Sequence, residues 1–431
     1  MYSAMISIFT KSQNLRTYFA VYILYALILD ISLWFVAEAF AYEGYIYRFD
    51  AGKTLFSYGL ALSLIFLHLR YSSSRISGMF CQGIFCLFVL PLLIYFMRSD
   101  SAYSHAVLVV SGYVCLLLCC HFLARVPLKI SFRGNRYIFY GSIAFLSIGT
   151  YALLFHHFRI QFNLDLSSVY ETRDHFIQNM NPLLGYMVIW QGNIINPLLF
   201  YLAVNRKKYL FIFMIIFFQA YLFGVTGMKI FAFSLFFAYL LARFSEHLRI
   251  FLPVSLMAVV AVSCLLYWYQ GNVWPIGLFV RRTLFTPSQL TFEYFDFFSQ
   301  NPLVFLSDSL FKRFLSYPYP LPPQLMIGIR YYEGASANVG IFGNSYMHFG
   351  ALGIFLFLSI LSIFLVFFDK MVARKSENSA AFVAMVATPI VSLINSGFFT
   401  VLLTHGLFLS IFLAFFVDFS NVAENRSKKS V

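Results

Sequence analysis

Long apolar runs recur along the whole chain, separated by short polar punctuation. Read as helices, they give spans at 17–41, 54–69, 77–97, 106–124, 137–155, 184–204, 209–227, 229–243, 250–269, 346–368, 380–400 and 401–418. A bilayer core about 30 Å thick needs roughly 20 apolar residues in helical form. A soluble chain of this length would instead split into domains with polar surfaces. The pattern predicts an all-α, polytopic transmembrane helical bundle of about 12 spans, one integral membrane domain over 1–431. The last two runs have nothing polar between them and read equally well as a re-entrant pair. The first run is too long for a secretory signal and carries Asp30, so it reads as an uncleaved span.

Composition agrees: 61% of residues are hydrophobic and 11% charged, far from soluble averages. The net charge of +13 becomes informative once it is placed on the spans. Alternating them from a cytoplasmic N-terminus puts nineteen of the 30 lysines and arginines inside. These include Arg70, Arg75, Arg125, Arg206, Lys207, Lys208, Arg243 and Arg249. The acids run the other way. The asymmetry predicts that both termini are cytoplasmic. It also explains the basic clusters as topology signals rather than nucleic-acid sites. The six cysteines, Cys81, Cys86, Cys115, Cys119, Cys120 and Cys264, fall in apolar runs with no metal-ligand spacing, and read as small buried hydrophobes.

Every inner loop is short. Two outer segments are longer, 156–183 and 270–345, which places the chemistry outside. In the larger, Thr286-Pro287-Ser288-Gln289 predicts a helix start with a capping box. That helix should run to about Phe298, with Gln289, Glu293, Asp296 and Gln300 on one polar stripe and aromatic residues over the rest. Asn301-Pro302 should restart an amphipathic segment through Leu315, followed by an extended stretch at Pro318, Pro320, Pro322 and Pro323. Arg330-Tyr331-Tyr332-Glu333-Gly334 comes next, then Asn338, Gly340, Gly343, Asn344 and His348-Phe349-Gly350. This glycine density lets backbone approach a ligand, and asparagine amides suit sugar hydroxyls; a flexible loop is the plainer reading.

Other polar points are few. Arg281 and Arg282 precede the predicted helix, and Arg173 lies in the other outer loop. Lys229 follows Gly224-Val225-Thr226-Gly227-Met228 at a hairpin apex whose arms, at roughly 14 residues or about 21 Å each, fall short of the bilayer core. Asp30 and Glu38 are acids inside a span, and an intramembrane charge needs a partner or a proton. Gln191, Asn193 and Asn196 read as polar links between helices. The sequence has no P-loop, Asp-x-Asp pair, Gly-x-Ser-x-Gly or zinc motif.

Three of these motifs, in this order, resemble the Wzy-type O-antigen, or oligosaccharide repeat-unit, polymerases. They are Gly224 through Lys229, Arg281-Arg282 with Thr286-Pro287-Ser288-Gln289-Leu290, and Asn338 through Gly350. The resemblance covers about 165–355; the paired arginine–glycine motifs of some members are absent at Arg173, Arg281, Arg282 and Arg330. It implies a glycosyltransferase of lipopolysaccharide or capsule biosynthesis that needs no metal or other cofactor. Donor and acceptor would both be oligosaccharides on undecaprenyl pyrophosphate. It implies pyrophosphate binding by Arg281, Arg282, Arg173, Lys229 and Arg330, and glycan binding by Tyr331, Tyr332, Glu333, Asn338 and Asn344. An acid or imidazole among Glu293, Asp296 and His348 would take the acceptor's proton. Partners would be membrane lipids and the flippase and chain-length regulator of the same pathway, with no nucleic acid. An O-antigen ligase shares this architecture and donor. A lipid-linked oligosaccharide flippase is the transporter alternative, though the chain shows no internal repeat.

Overall fold

The structure, a computed structural model, describes residues 15–127, 135–158, 168–309, 311–331, 336–373 and 379–417. Helices α1 (Leu15–Ala39), α2 (Ala51–Tyr71), α3 (Ile76–Arg98) and α4 (Tyr103–Leu123) come first. They are followed by α5 (Arg136–Phe158), α6 (Val169–Asn179), α7 (Pro182–Asn205), α8 (Tyr209–Thr226) and α9 (Lys229–Arg243). Then come α10 (Leu248–Gln270), α11 (273–300), α12 (Pro323–Tyr331), α13 (Ile341–Val372), α14 (Ser379–Asn395), α15 (Phe398–Leu403) and α16 (Leu407–Phe416). Strands are absent among the described residues.

Ten of the described helical segments are long and apolar enough to cross a membrane: α1–α5, α7, α8, α10, α13 and the α15–α16 segment Phe398–Phe416. Large apolar side chains cover their outward faces, among them Ile31 and Trp34 of α1, Phe66 of α2, Phe145 and Ile148 of α5, and Phe213 of α8. Water would not tolerate such surfaces. The chain is an all-helical, multi-pass membrane protein. The expected count of about 12 rests on two shorter helices, α9 with 15 residues and α14 with 17.

The chain divides into two compact units. The first comprises Met1–Val126, Glu246–Val366 and Val391–Phe398; the second comprises Pro127–Ser245, Phe367–Ile390 and Phe399–Val431. In the first, α3 is buried along its whole length, as a helix apolar on every side should be. Around it pack α1, α2, α4 and α11. A buried network, Tyr22–Gln82–His68–Tyr113, ties α1 to α4: Tyr22 Oη donates to Gln82 at 2.8 Å, and the His68 nitrogens lie 2.6 Å from Gln82 and from Tyr113.

In the second unit, the polar centre of α7 does link helices. Gln191 Nε2 donates to Asn196 Oδ1, Asn196 Nδ2 to Gln219 of α8, and Gln219 Nε2 to Ser234 of α9, each at 2.7 Å. The α8 arm has 18 residues and α9 has 15, longer than the sequence suggests, because Gly224 stays helical and α9 begins at Lys229 itself. Gly227 ends α8 at φ +62°. A Cβ there would also meet Arg173 N of α6 at 2.9 Å, so only glycine closes this turn.

Three π-helical stretches stand out among the described residues: Phe85–Val89, Gln191–Ile195 and Ile276–Phe285. Each ends two residues before a proline, Pro91, Pro197 or Pro287. A proline ring crowds the carbonyl four residues back and removes a donor. A wider turn just ahead relieves both.

This overturns the expected helix start at Thr286. The helix begins thirteen residues earlier, where Asn272 Oδ1 accepts from Trp274 N at 3.1 Å. Thr286 makes no cap. The Asn301-Pro302 segment also differs. Asn301 Nδ2 closes α11 on Phe297 O at 2.7 Å, and 305–309 and 311–314 form turns, with Phe305 and Leu306 at positive φ. The span expected at 346–368 begins earlier, at Ile341, and breaks at Phe349 and Gly350.

Candidate functional site

The first unit gathers charge at one end. Its helices alternate in direction, so the 40–50 and 98–103 connections meet the end of α10 there, and α11 packs across them. The deepest group is an ion pair. Arg98 Nε donates to Asp30 Oδ1 at 2.9 Å and its Nη2 to Oδ2 at 2.6 Å. Both side chains are largely buried, at 6% and 14% exposure. Tyr47 and Tyr58 hydroxyls add bonds to the same carboxylate at 3.1 and 3.2 Å. Lys53 Nζ donates to the carbonyls of Ser99 and Ser101 at 2.6 and 2.8 Å. Arg48 pairs with Asp100 at the exposed edge.

A second group runs along α11. Arg281 pairs with Glu43 and lies over the Phe40 ring, 4.3 Å from its centre. Gln289 Nε2 donates to Glu43 O at 3.0 Å, and the Tyr45 and Thr286 hydroxyls are 2.8 Å apart. Burial pushes the Tyr45 phenol well above its usual range. The Nε of Arg281 and the Oε1 of Gln289 are buried without a hydrogen-bond partner. Arg282 is exposed and pairs with no carboxylate among the described residues.

The third group lies further along α11. His105 Nε2, from the first turn of α4, is 3.6 Å from Asp296 Oδ1. The imidazole meets the Phe295 ring edge-on, and its Nδ1 is buried without a partner. Burial raises the Asp296 carboxyl above its ordinary value, while the charges of His105 and Arg330 pull it down. Arg330 is exposed and lies over Phe297. The expected polar stripe is thus present and graded: Gln289 is buried, Glu293 half-buried, and Asp296 and Gln300 exposed.

Other expected residues serve elsewhere. His348 is buried, and its Nδ1 accepts from Leu306 N at 3.1 Å. It pins the turn at 304–306 onto the break in α13. Asn344 Oδ1 accepts from Phe398 N at 3.2 Å, so it holds a helix start. Gly340 and Gly343 admit close approach of protein, the Ile394 carbonyl and Val339, rather than of a ligand. Asn338 is exposed, and Tyr331 ends α12. Tyr332 and Glu333 lie outside the described residues. Arg173 and Lys229 belong to the second unit, where both face Tyr170, at 5.6 and 4.8 Å from its ring centre.

Sequence reasoning missed Arg98, Lys53, Arg48, Glu43 and His105, all at span ends or in short connections that read as linkers. One signal was available: Asp30 demanded a cation, and Arg98 closes a span that ends on the same side of the membrane in the alternating order of the spans. No group of three or more His, Cys, Asp or Glu side chains gathers as metal ligands would among the described residues. Comparison with known proteins gives no match to this chain, whether among family models, curated proteins or solved structures.

Proposed function

We propose that this chain is a glycosyltransferase of the bacterial inner membrane that polymerises oligosaccharide repeat units carried on undecaprenyl pyrophosphate. It crosses the bilayer about 12 times, with both termini cytoplasmic and the charged end of the first unit periplasmic. The observation that carries this reading is the grouping, at one end of the first unit, of the exposed Asp296 carboxylate with His105, Arg330 and the exposed Arg282 along α11.

In the reaction, the acceptor sugar's hydroxyl oxygen attacks the donor's anomeric carbon. The bond from that carbon to the donor pyrophosphate breaks, and the lipid pyrophosphate leaves with the electron pair. Asp296, beside His105, takes the hydroxyl proton; general-base help of this kind is worth roughly 10²–10⁴-fold. Arg330, whose charge is felt at Asp296, meets the leaving pyrophosphate, since a guanidinium fork matches phosphate oxygens. Arg282 sits fourteen residues before Asp296, about 21 Å along α11 at helical rise. That is the span of a short oligosaccharide, so Arg282 takes the acceptor's own pyrophosphate, one repeat unit from the reacting hydroxyl.

Deletion of the gene, followed by electrophoresis of surface polysaccharide, tests the reading. A polymerase mutant leaves single capped repeats. Polymer stranded on the carrier lipid would identify a ligase instead, and loss of both products a flippase. Orientation is read separately by impermeant thiol labelling in a cysteine-free background. A cysteine at exposed Ser316 is expected to react from outside, and one at exposed Ser74 is not.

A further inference from the structure

At the other end of the first unit, a cavity of ≈ 390 Å³ opens beside the 71–78 turn and the last turn of α4. This is within the range of small-ligand sites. Arg75, Arg125, His121 and Ser73 form its polar wall, and buried Cys81, Leu117 and Cys120 form the apolar one. No carboxylate lines it. Neither Arg75 nor Arg125 pairs with an acid among the described residues. Arg125 donates one N–H to His121 Nε2 at 2.6 Å, which leaves most of its five donors unused.

The walls are held in place before any ligand arrives. Arg249 of α10 donates to the Ser72 carbonyl, and Ser72 Oγ to Gly78 O. Gly78 packs so tightly on the Ser73 backbone that a side chain there would displace the turn. Beneath the cavity, Tyr113 Oη donates to Cys81 O at 3.4 Å and also meets His68 at 2.6 Å, fixing α2, α3 and α4 around the floor. Two uncompensated guanidinium groups beside an apolar wall complement a particular chemistry: a phosphate attached to something apolar.

We propose that this cavity binds the phosphate of an anionic amphiphile, held by Arg75 and Arg125, with its apolar part against Cys81, Leu117 and Cys120. Basic pockets at the ends of membrane helices recognise lipid headgroups by the same chemistry. A soluble phosphate ester presents the same phosphate. The assignment is independent of the transferase reaction, which lies at the opposite end of the unit.

The test uses the full-length protein in nanodiscs of phosphatidylcholine doped with phosphatidylglycerol, with retained lipid read by native mass spectrometry. Wild type is expected to favour phosphatidylglycerol over phosphatidylcholine by about thirtyfold, the effect of two cations beside one lipid phosphate. The Arg75→Gln/Arg125→Gln double variant should lose that preference. Arg70→Gln, at the same end but outside the cavity, should keep it. The Arg75→Lys/Arg125→Lys variant retains the charge and should retain part of the preference, which covers the case in which the glutamine variant fails to fold. Displacement of the lipid by sn-glycerol 3-phosphate would identify a soluble ester as ligand; retention against it would identify the lipid headgroup. A wild type without preference that also fails to bind the ester overturns the site. So does a charge-removed variant that holds phosphatidylglycerol as wild type does.

Discussion

Arg98 closes on Asp30 through two hydrogen bonds, sixty-eight residues apart in sequence, and both side chains are largely buried. A lone charge left there would be uncompensated. Asp30→Asn or Arg98→Leu is therefore expected to destabilise the folded protein by about 3–5 kcal/mol. The Asp30→Leu/Arg98→Leu double variant should recover much of that loss, since neither charge then remains. Thermal unfolding in detergent measures both. Additive losses in the double variant would show that the two residues act separately.

Asp296, the proposed general base, carries opposite expectations for stability and for rate. Burial raises its carboxyl pKa in the folded state. A group of this kind contributes fully below its unfolded value, about 3.9 for aspartate, and stability is lost as pH rises through the folded value. Asp296→Asn is thus expected to melt higher than wild type at neutral pH and equally in strong acid. With a defined lipid-linked repeat, the same variant should lose roughly 10²–10⁴-fold in single-turnover rate, and the acid limb of the wild-type pH–rate profile should fall above the ordinary aspartate range. A variant that polymerises at the wild-type rate would remove Asp296 from the chemistry.

The apolar spans and the polar stripe of α11 were legible because each is a local repeat: a run of bilayer length, and a spacing of three or four residues. The start of α11 was not. Thr286-Pro287 reads as a cap followed by a first-turn proline, yet the same proline is tolerated after a widened turn, and local sequence does not separate these cases. The site was legible only in part. Asp296 and Arg282 stood out on the stripe and beside it. His105, Glu43 and Arg98 became visible only when helices distant in sequence packed together. His348 and Asn344 read as ligand groups because polar residues beside glycines suit a ligand site and a packing joint equally well; in the fold each accepts a backbone N–H.

His348 offers a direct test of that distinction. Its Nδ1 accepts the Leu306 N–H beside two residues at positive φ. His348→Ala would leave that buried donor unmet, at a cost of about 1–3 kcal/mol. His348→Gln supplies a carbonyl acceptor and should recover part of the stability. If His348 were the general base, both variants would lose turnover alike whatever their melting temperatures; the structure predicts that turnover follows stability instead.

Arg281 and Arg282 are adjacent in sequence yet differ in what surrounds them, and that difference separates a structural role from a binding one. Arg281 is half-buried, paired with Glu43 and stacked on Phe40. Alanine there strands a partly buried carboxylate, so the expected loss is roughly 1–3 kcal/mol of stability. Arg282 is exposed and has no acid beside it among the described residues. Arg282→Ala should leave stability within about 0.5 kcal/mol of wild type. If its guanidinium holds a substrate pyrophosphate, the variant loses charge-assisted hydrogen bonds of about 1.5–3 kcal/mol each. One such bond corresponds to about a ten- to hundredfold fall in kcat/KM. Arg282→Lys should recover little of it, because a point charge cannot reproduce the two-point fork. Melting curves and initial rates on the same three preparations settle the matter: an Arg282→Ala enzyme with wild-type kcat/KM would leave the acceptor pyrophosphate to another cation.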